Sequence, residues 1–128
     1  MSLTYLNPHG TPRFYTHVVV AEGTKLVFIS GQVAIKDGVI VGEGDLAVQA
    51  EQAFQNLHAC LEAADATMQN VTKMTILVVG LRPEYREILH AAYERHLPAV
   101  NPPAQTTIGV QALGHPSFMI ELEATVVL

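Results

Sequence analysis

The chain is poor in charge and in cysteine, and it lacks long hydrophobic runs. Charged residues make up 15% of its 128 residues, against roughly 25% in ordinary soluble domains. A single cysteine, Cys60, excludes a disulfide framework and a cysteine-rich zinc site. Apolar runs such as 76–79 are far shorter than the roughly 20 residues of a membrane-spanning helix. The N-terminus shows no signal-peptide pattern, so we expect one cytoplasmic domain over residues 1–128 with no membrane partner.

Basic residues are also scarce. The chain has 7 Lys and Arg against 12 Asp and Glu, which gives a net charge of −5. Proteins that follow a phosphate backbone carry clustered basic residues, so we expect no nucleic-acid partner. Hydrophobic residues make up 49% of the chain, which leaves few polar side chains to cover a monomer. We therefore expect part of the surface to be buried against further copies.

The N-terminal third reads as strands and turns. Residues 1–13 contain two prolines and a glycine and predict an irregular arm. Segments 14–20 and 25–30 are rich in β-branched and aromatic residues and predict a hairpin. A second, shorter hairpin is predicted around 36–38, because Asp-Gly supplies the positive φ angles of a tight turn.

From Asp45 the apolar period changes from two to 3.6 residues, which predicts a helix of about twenty residues with Asp45 as its N-cap. A buried strand follows at 71–79, then a second helix after Pro83. The segments 104–112 and 117–127 predict two last strands. The order β-β-β-α-β-α-β-β indicates an α+β fold, a mixed sheet with both helices on one face. The other face needs a partner, which again favours an oligomer.

The common catalytic motifs of nucleotide-binding proteins, zinc proteases and hydrolases are missing. Six histidines are scattered, and His90 and His96 fall on different faces of the second helix, so we expect no metal. Cys60, inside the first helix, reads as a small buried hydrophobe rather than a nucleophile. We also expect no cofactor.

Two carboxylates alternate with apolar residues in the last strand, at Glu121 and Glu123. Alternate side chains share one face of a strand, so both glutamates line the face opposite the core. On a free surface they would simply be solvated. Burial in an oligomer would raise a carboxylate pKa by desolvation and make one of them a candidate acid or base.

Several segments together resemble the reactive intermediate deaminase family, the RidA-like or YjgF-type proteins. They cover nearly the whole chain and occur in the family's order: Phe28-Ile29-Ser30-Gly31-Gln32, Asn56-Leu57 with Leu61-Glu62-Ala63-Ala64, Val71-Thr72-Lys73, Pro102-Pro103-Ala104 and Glu121-Leu122-Glu123-Ala124. The resemblance implies a chorismate-mutase-like fold, assembled as a homotrimer with a central barrel and clefts between subunits. It also implies binding of a small metabolite, an enamine or imine such as 2-aminoacrylate, which is hydrolysed to a 2-keto acid and ammonia.

The resemblance also marks a departure at Gln105. Family members carry an arginine after Pro-Ala that clamps the substrate carboxylate, whereas this chain has Gln105. A neutral amide cannot make the bidentate, charge-assisted contact of a guanidinium. An anionic imino acid should then lose about 1.5–3 kcal/mol for each charged hydrogen bond that is not replaced.

Five further positions are matched one by one. Glu121 resembles the carboxylate that positions the attacking water, and His90 stands where many members have an asparagine facing the cleft. Tyr15 resembles the tyrosine that closes the cleft, and Gly31 the glycine whose backbone lines it. Thr107 stands where many members have a small residue that meets the ligand. Each position also has a purely structural interpretation. Glu121 would be a solvated carboxylate on a strand, and His90 a surface residue of the helix. Tyr15 would be a packed aromatic residue, Gly31 a bulge glycine and Thr107 a β-forming residue.

Three functions remain open at this stage. The first is an enamine or imine hydrolase with a less anionic substrate than 2-aminoacrylate, using Glu121 and His90 as catalytic residues. The second is a trimer that binds a small molecule, or modulates a partner, without turnover. The third is the usual deamination, with another cation such as Arg13 or a neighbouring subunit's lysine replacing the missing arginine. A ribonuclease function fits the net charge of −5 poorly.

Overall fold

Residues 2–128, the part of the chain that the computed structural model describes, form eight strands and two α-helices. In chain order the elements are β1 (Ser2–Leu6), β2 (Val18–Glu22), β3 (Leu26–Gln32), β4 (Ile35–Lys36), β5 (Val39–Ile40), α1 (Leu46–Ala63), β6 (Val71–Val79), α2 (Arg86–His96), β7 (Ala104–Val110) and β8 (Ile120–Val127). Single 3₁₀ turns at Met68–Asn70 and Pro83–Tyr85 precede β6 and α2.

The four strands β3, β8, β6 and β7 form one mixed sheet in that spatial order. β8 lies antiparallel to both β3 and β6, whereas β6 and β7 are parallel. A parallel pair needs a crossover connection, and α2 supplies it. The predicted α+β fold with a mixed sheet is thus confirmed.

The N-terminus differs from the prediction of an irregular arm over 1–13. Ser2–Leu6 is a strand that pairs antiparallel with Val18–Glu22, while Met1 lies outside the described residues. The predicted hairpin between the second and third strands is also wrong, because β3 pairs with β8 instead. The backbone amides of Thr24 and Lys25 both donate to the carbonyl of Leu128, at 2.8 and 2.9 Å. This corner therefore fixes β3 to the C-terminal strand and leaves β2 free to pair with β1.

The capping and turn predictions are confirmed. The Asp45 carboxylate accepts a hydrogen bond from the Val48 amide at 3.2 Å, at the start of α1. The short β4–β5 hairpin turns at Asp37 and Gly38, whose φ angles are +52° and +76°. Within residues 2–128 neither helix is long and apolar enough to cross a membrane.

The two faces of the sheet have different surroundings. One face packs with α1 and α2 into a single core, which contains the buried β8 residues Ile120, Leu122 and Val126. The opposite face, here called the open face, carries Glu121 and Glu123 together with apolar side chains. Phe28 is 73% exposed there and Leu26 is 64% exposed.

Candidate functional site

A chain of hydrogen bonds links the edge strand β7 to α2. In the parallel register Gln105 pairs with Met74 and Thr107 with Ile76, and both of these partners are buried. Gln105 and Thr107 therefore lie on the helix side of the sheet. Thr107 Oγ1 donates to Gln105 Oε1 at 3.1 Å, so the Tyr93 hydroxyl, 2.8 Å away, donates to Thr107. The Gln105 Nε2 group keeps its N–H donors, since no partner for it is found among residues 2–128.

His90 faces a small pocket beside these hydroxyls. The pocket has a volume of about 170 Å³, and His90, Tyr93 and Thr107 all line it. Burial lowers the pKa of His90, and the nearby charges of Arg86 and Arg13 lower it further. The imidazole is therefore neutral at neutral pH and can accept or pass on a proton.

Phe14 covers His90 from the N-terminal side. Its ring centroid lies 4.8 Å from that of His90 and 5.7 Å from that of Tyr93. The φ angle of Phe14 is +74°, a strained conformation for an aromatic residue. The Arg13 guanidinium lies 4.3 Å from the Phe14 ring centroid. The strained backbone at Phe14 thus places an aromatic ring, with the Arg13 cation next to it, beside His90.

Tyr15 lies apart from this group. It is half-buried, and its ring makes an edge contact with His17 at 5.3 Å. The segment is nevertheless anchored near β7, because Thr16 Oγ1 donates to the carbonyl of Pro102 at 2.6 Å. Within one copy Phe14, rather than Tyr15, is the N-terminal aromatic residue that contacts His90.

Glu121 and Gly31 form a second group on the open face. Glu121 pairs in register with Leu77, while its neighbours Ile120 and Leu122 point into the core. The Glu121 side chain lies directly against the Gly31 backbone, where a Cβ atom would come within 2.5 Å of Glu121 Cδ. Gly31 also sits in the irregular register between β3 and β8. A glycine is therefore required to make room for this carboxylate.

The structure separates these two groups within one chain. β6 lies between β7 and β8, which places the two strands about 10 Å apart. Gln105 and Thr107 point to the helix side, whereas Glu121 points to the open face. One copy therefore does not bring all the predicted site residues together.

Sequence reasoning identified Thr107 beside His90, but not Tyr93, Arg86 or Phe14. Tyr93 lies three residues after His90 and Arg86 four residues before it, and such spacings share one face of a helix. That signal was available in the sequence. The contact of Phe14 with His90 could not be predicted from residue spacing, because it depends on how the N-terminal segment crosses α2.

The remaining titratable clusters do not resemble a metal centre. Within residues 2–128 no group of three or more His, Cys, Asp and Glu side chains is arranged to hold a metal ion. Cys60 is a free thiol, half-buried at the margin of the core. It is thus a packing residue, although less buried than the sequence indicates.

The comparisons with known proteins agree with this fold. The sequence model of the family described as endoribonuclease L-PSP matches residues 10–128. The chain belongs to this family of RidA-like proteins. A relative, Protein DfrA of Myxococcus xanthus, is 31% identical over 114 residues, which are 88% of this chain and 84% of the relative. The resemblance found in the sequence is confirmed.

Two further RidA-like relatives are informative. A 2-iminobutanoate/2-iminopropanoate deaminase from Dermatophagoides farinae is 28% identical over 118 residues, 89% of this chain and 85% of that protein. A crystal structure of the Rid-family protein YyfB from Yersinia pestis, of unknown function, superposes with a TM-score of 0.87 and 34% identity. That match covers 100% of both chains, so the RidA-like fold extends over the whole molecule.

Proposed function

We propose that this RidA-like chain binds a small metabolite in a cleft between the copies of a homotrimer. There it hydrolyses an enamine or imine other than 2-aminoacrylate. The observation that carries the proposal is the Tyr93–Thr107–Gln105 hydrogen-bond chain, which opens on a pocket lined by His90. This arrangement offers a neutral amide donor and a neutral imidazole to one small ligand.

The separation of the two groups supports a site between copies. Phe28 and Leu26 expose large apolar surfaces on the open face, and exposed apolar patches of this kind mark interaction surfaces. A second copy that covers this face brings its own β7 edge close to Glu121. Three open faces turned toward one axis would form the central barrel and three equivalent clefts.

The reaction follows from the chemistry of the two groups. An enamine first takes a proton on its β-carbon and loses one from nitrogen, and so becomes an imine. Glu121 orients a water molecule, whose oxygen attacks the imine carbon to form a C–O bond. The resulting carbinolamine loses its C–N bond and leaves as a carbonyl compound and ammonia. His90, neutral at neutral pH, moves the two protons of the attacking water one after the other to the nitrogen, which departs as ammonia.

Gln105 is the reason to expect a substrate other than 2-aminoacrylate. Its amide is oriented by Thr107 and presents N–H donors without positive charge. Such a donor suits a carbonyl oxygen or an uncharged polar group, whereas a carboxylate at that position prefers a guanidinium. The Gln105 amide on β7 therefore favours binding of the neutral end of the substrate.

The proposal is tested by ammonia release from a panel of imines, both anionic and neutral, with the purified protein. We expect at least one member to be hydrolysed, and Glu121→Gln to lower kcat/KM by about 100-fold or more, the usual range for a positioned acid or base. Glu123→Gln is the matched control, since Glu123 lies two residues further along the same face and should retain activity. Equal rates for Glu121→Gln and the wild type would contradict the proposal.

The second candidate is a trimer that binds a small molecule, or modulates a partner, without turnover. It is favoured by the neutral Gln105 in place of the family's arginine. A thermal-shift screen with the same panel separates the two functions. Ligands that raise Tm but release no ammonia would support the binder and overturn the hydrolase.

A further inference from the structure

Two arginines line the pocket beside Thr107 without a carboxylate partner. Arg82 and Arg86 lie there together with His90 and Leu89. The ion pairs found within residues 2–128 involve other basic residues. The whole chain has only 7 Lys and Arg, and two of them face one cavity of about 170 Å³.

Arg82 is held in place by the turn that precedes α2. Its Nε donates to the Gly80 carbonyl at 2.9 Å, and its guanidinium lies 4.8 Å from the Tyr85 ring centroid. Gly80 has a φ angle of +63°, and a Cβ atom there would come within 2.9 Å of Arg82 Nη2. The turn therefore orients Arg82 and leaves its terminal N–H groups available.

Arg86 carries positive charge toward the same space from the first turn of α2. It lies four residues before His90, and its charge helps to lower the pKa of His90. The acidic residues nearby, Glu87 and Glu94, line a wider opening that Arg86 and His90 also border, and Glu94 pairs there with Arg13 at 3.4 Å. No carboxylate lines the small pocket itself.

We infer that Arg86, with Arg82 beside it, binds the carboxylate of a small organic acid whose carbonyl or imine end reaches the Gln105 amide. A guanidinium recognises a carboxylate through two parallel N–H donors, and Leu89 provides an apolar wall for a short carbon chain. This inference rests on the proposed function and names its substrate class. The substrate is an acid bound through its carboxylate on α2, and not on β7.

Binding of stable keto acids tests the inference without any turnover. The probes are 2-oxobutanoate and 4-oxopentanoate, with the neutral ketone 2-pentanone for comparison, measured by titration calorimetry on the purified full chain. We expect at least one acid to bind more tightly than the ketone, and Arg86→Gln to weaken that acid about tenfold or more, as loss of a charged hydrogen bond does. Arg82→Gln should weaken it in the same direction.

Two further variants complete the design. Arg95→Gln, the matched control, removes the same charge from α2 outside the pocket, where Arg95 pairs with Glu51, and should leave acid binding unchanged. Arg86→Lys should retain a part of the binding that Arg86→Gln loses, because it keeps the positive charge in the pocket but not the two parallel N–H donors. If neither acid binds, or if Arg86→Gln binds the acid as well as the wild type, the inference is overturned.

The outcome is distinguishable from failure of the proposed function. Imine hydrolysis that persists in Arg86→Gln with unchanged kcat/KM for an anionic substrate would overturn the inference and leave the hydrolase intact. Arginine-dependent acid binding without any ammonia release would support the inference and overturn the hydrolase.

Discussion

Gly31 and Glu121 show how one residue's size fixes another's position. The Glu121 side chain occupies the space that any Cβ at position 31 would need. The carboxylate is flexible at its far end, so an added methyl group would displace it without disturbing the core. The sequence indicated both residues through the family resemblance. Their direct contact could not be predicted, because it depends on the irregular register between β3 and β8.

We expect Gly31→Ala to fold normally but to lose activity by about 10–100-fold, because a displacement of about 1 Å has such effects on positioned groups. In the Glu121→Gln background the same change should cost little more, since both substitutions act on one carboxylate. Gly114→Ala is the control, because its Cβ would meet open space. Steady-state kinetics and Tm of the four variants provide the measurement. Full activity in Gly31→Ala would refute the contact's role.

At the scale of elements, local signals predicted more than long-range pairing did. The Asp45 cap and the strand Val71–Val79 were predicted from periodicity and turn chemistry, and the structure confirms them. The prediction that the segment at Val18–Glu22 pairs with the next strand was wrong. Pairing there depends on the Leu128 carbonyl, distant in sequence, which fixes the corner at Thr24. The site residues on α2 and β7 could not be placed together for the same reason, since their contact depends on how the crossover packs against the sheet.

A second local feature joins the two helices. His96, whose side chain is 7% exposed, lies with its Nε2 2.6 Å from Glu51 Oε2, and His58 Nε2 lies 3.1 Å from His96 Nδ1. The two contacts are compatible when His58 Nε2 donates to His96 Nδ1 and His96 Nε2 donates to Glu51. The hydrogen bond from His96 lowers the pKa of Glu51 from 4.5 to about 2. Burial, with a smaller contribution from His96, lowers the pKa of His58.

These shifts predict how stability changes with pH. Because the folded His58 binds protons less readily than the unfolded one, the free energy of unfolding should fall as pH decreases below about 6.5. The contribution of Glu51 is present above pH 4.5 and is lost as pH falls toward 2. Urea unfolding at one protein concentration from pH 7.5 to 5.5 measures the first effect.

The histidine variant gives the control for this pH series. His58→Gln should flatten the slope, although a part remains because the pKa of His90 is also lowered. His9→Gln, an exposed histidine, should leave the slope unchanged. An identical slope in His58→Gln and the wild type would contradict the assignment.

At the scale of the whole molecule, the composition predicts that apolar surface is covered, and the structure shows which face carries that surface. The low content of charge predicted that apolar surface is covered by further copies, and the open face carries Phe28 and Leu26 exposed. The same face holds Glu121, whereas Gln105 and Thr107 lie on the other side of the sheet. The central claim is therefore that the site is completed only when two copies meet.

Complementation between two variants tests this claim most directly. Glu121→Gln alters the open-face half of the site, and Gln105→Glu alters the β7 half with a side chain of nearly equal size. Each variant alone should be inactive toward the imine that the wild type hydrolyses fastest. When the two are unfolded and refolded together in equal amounts, a site shared between neighbours should recover about a quarter of wild-type activity, because each interface draws one half-site from each copy. If the mixture stays as inactive as its components, each site lies within a single chain and the account is contradicted.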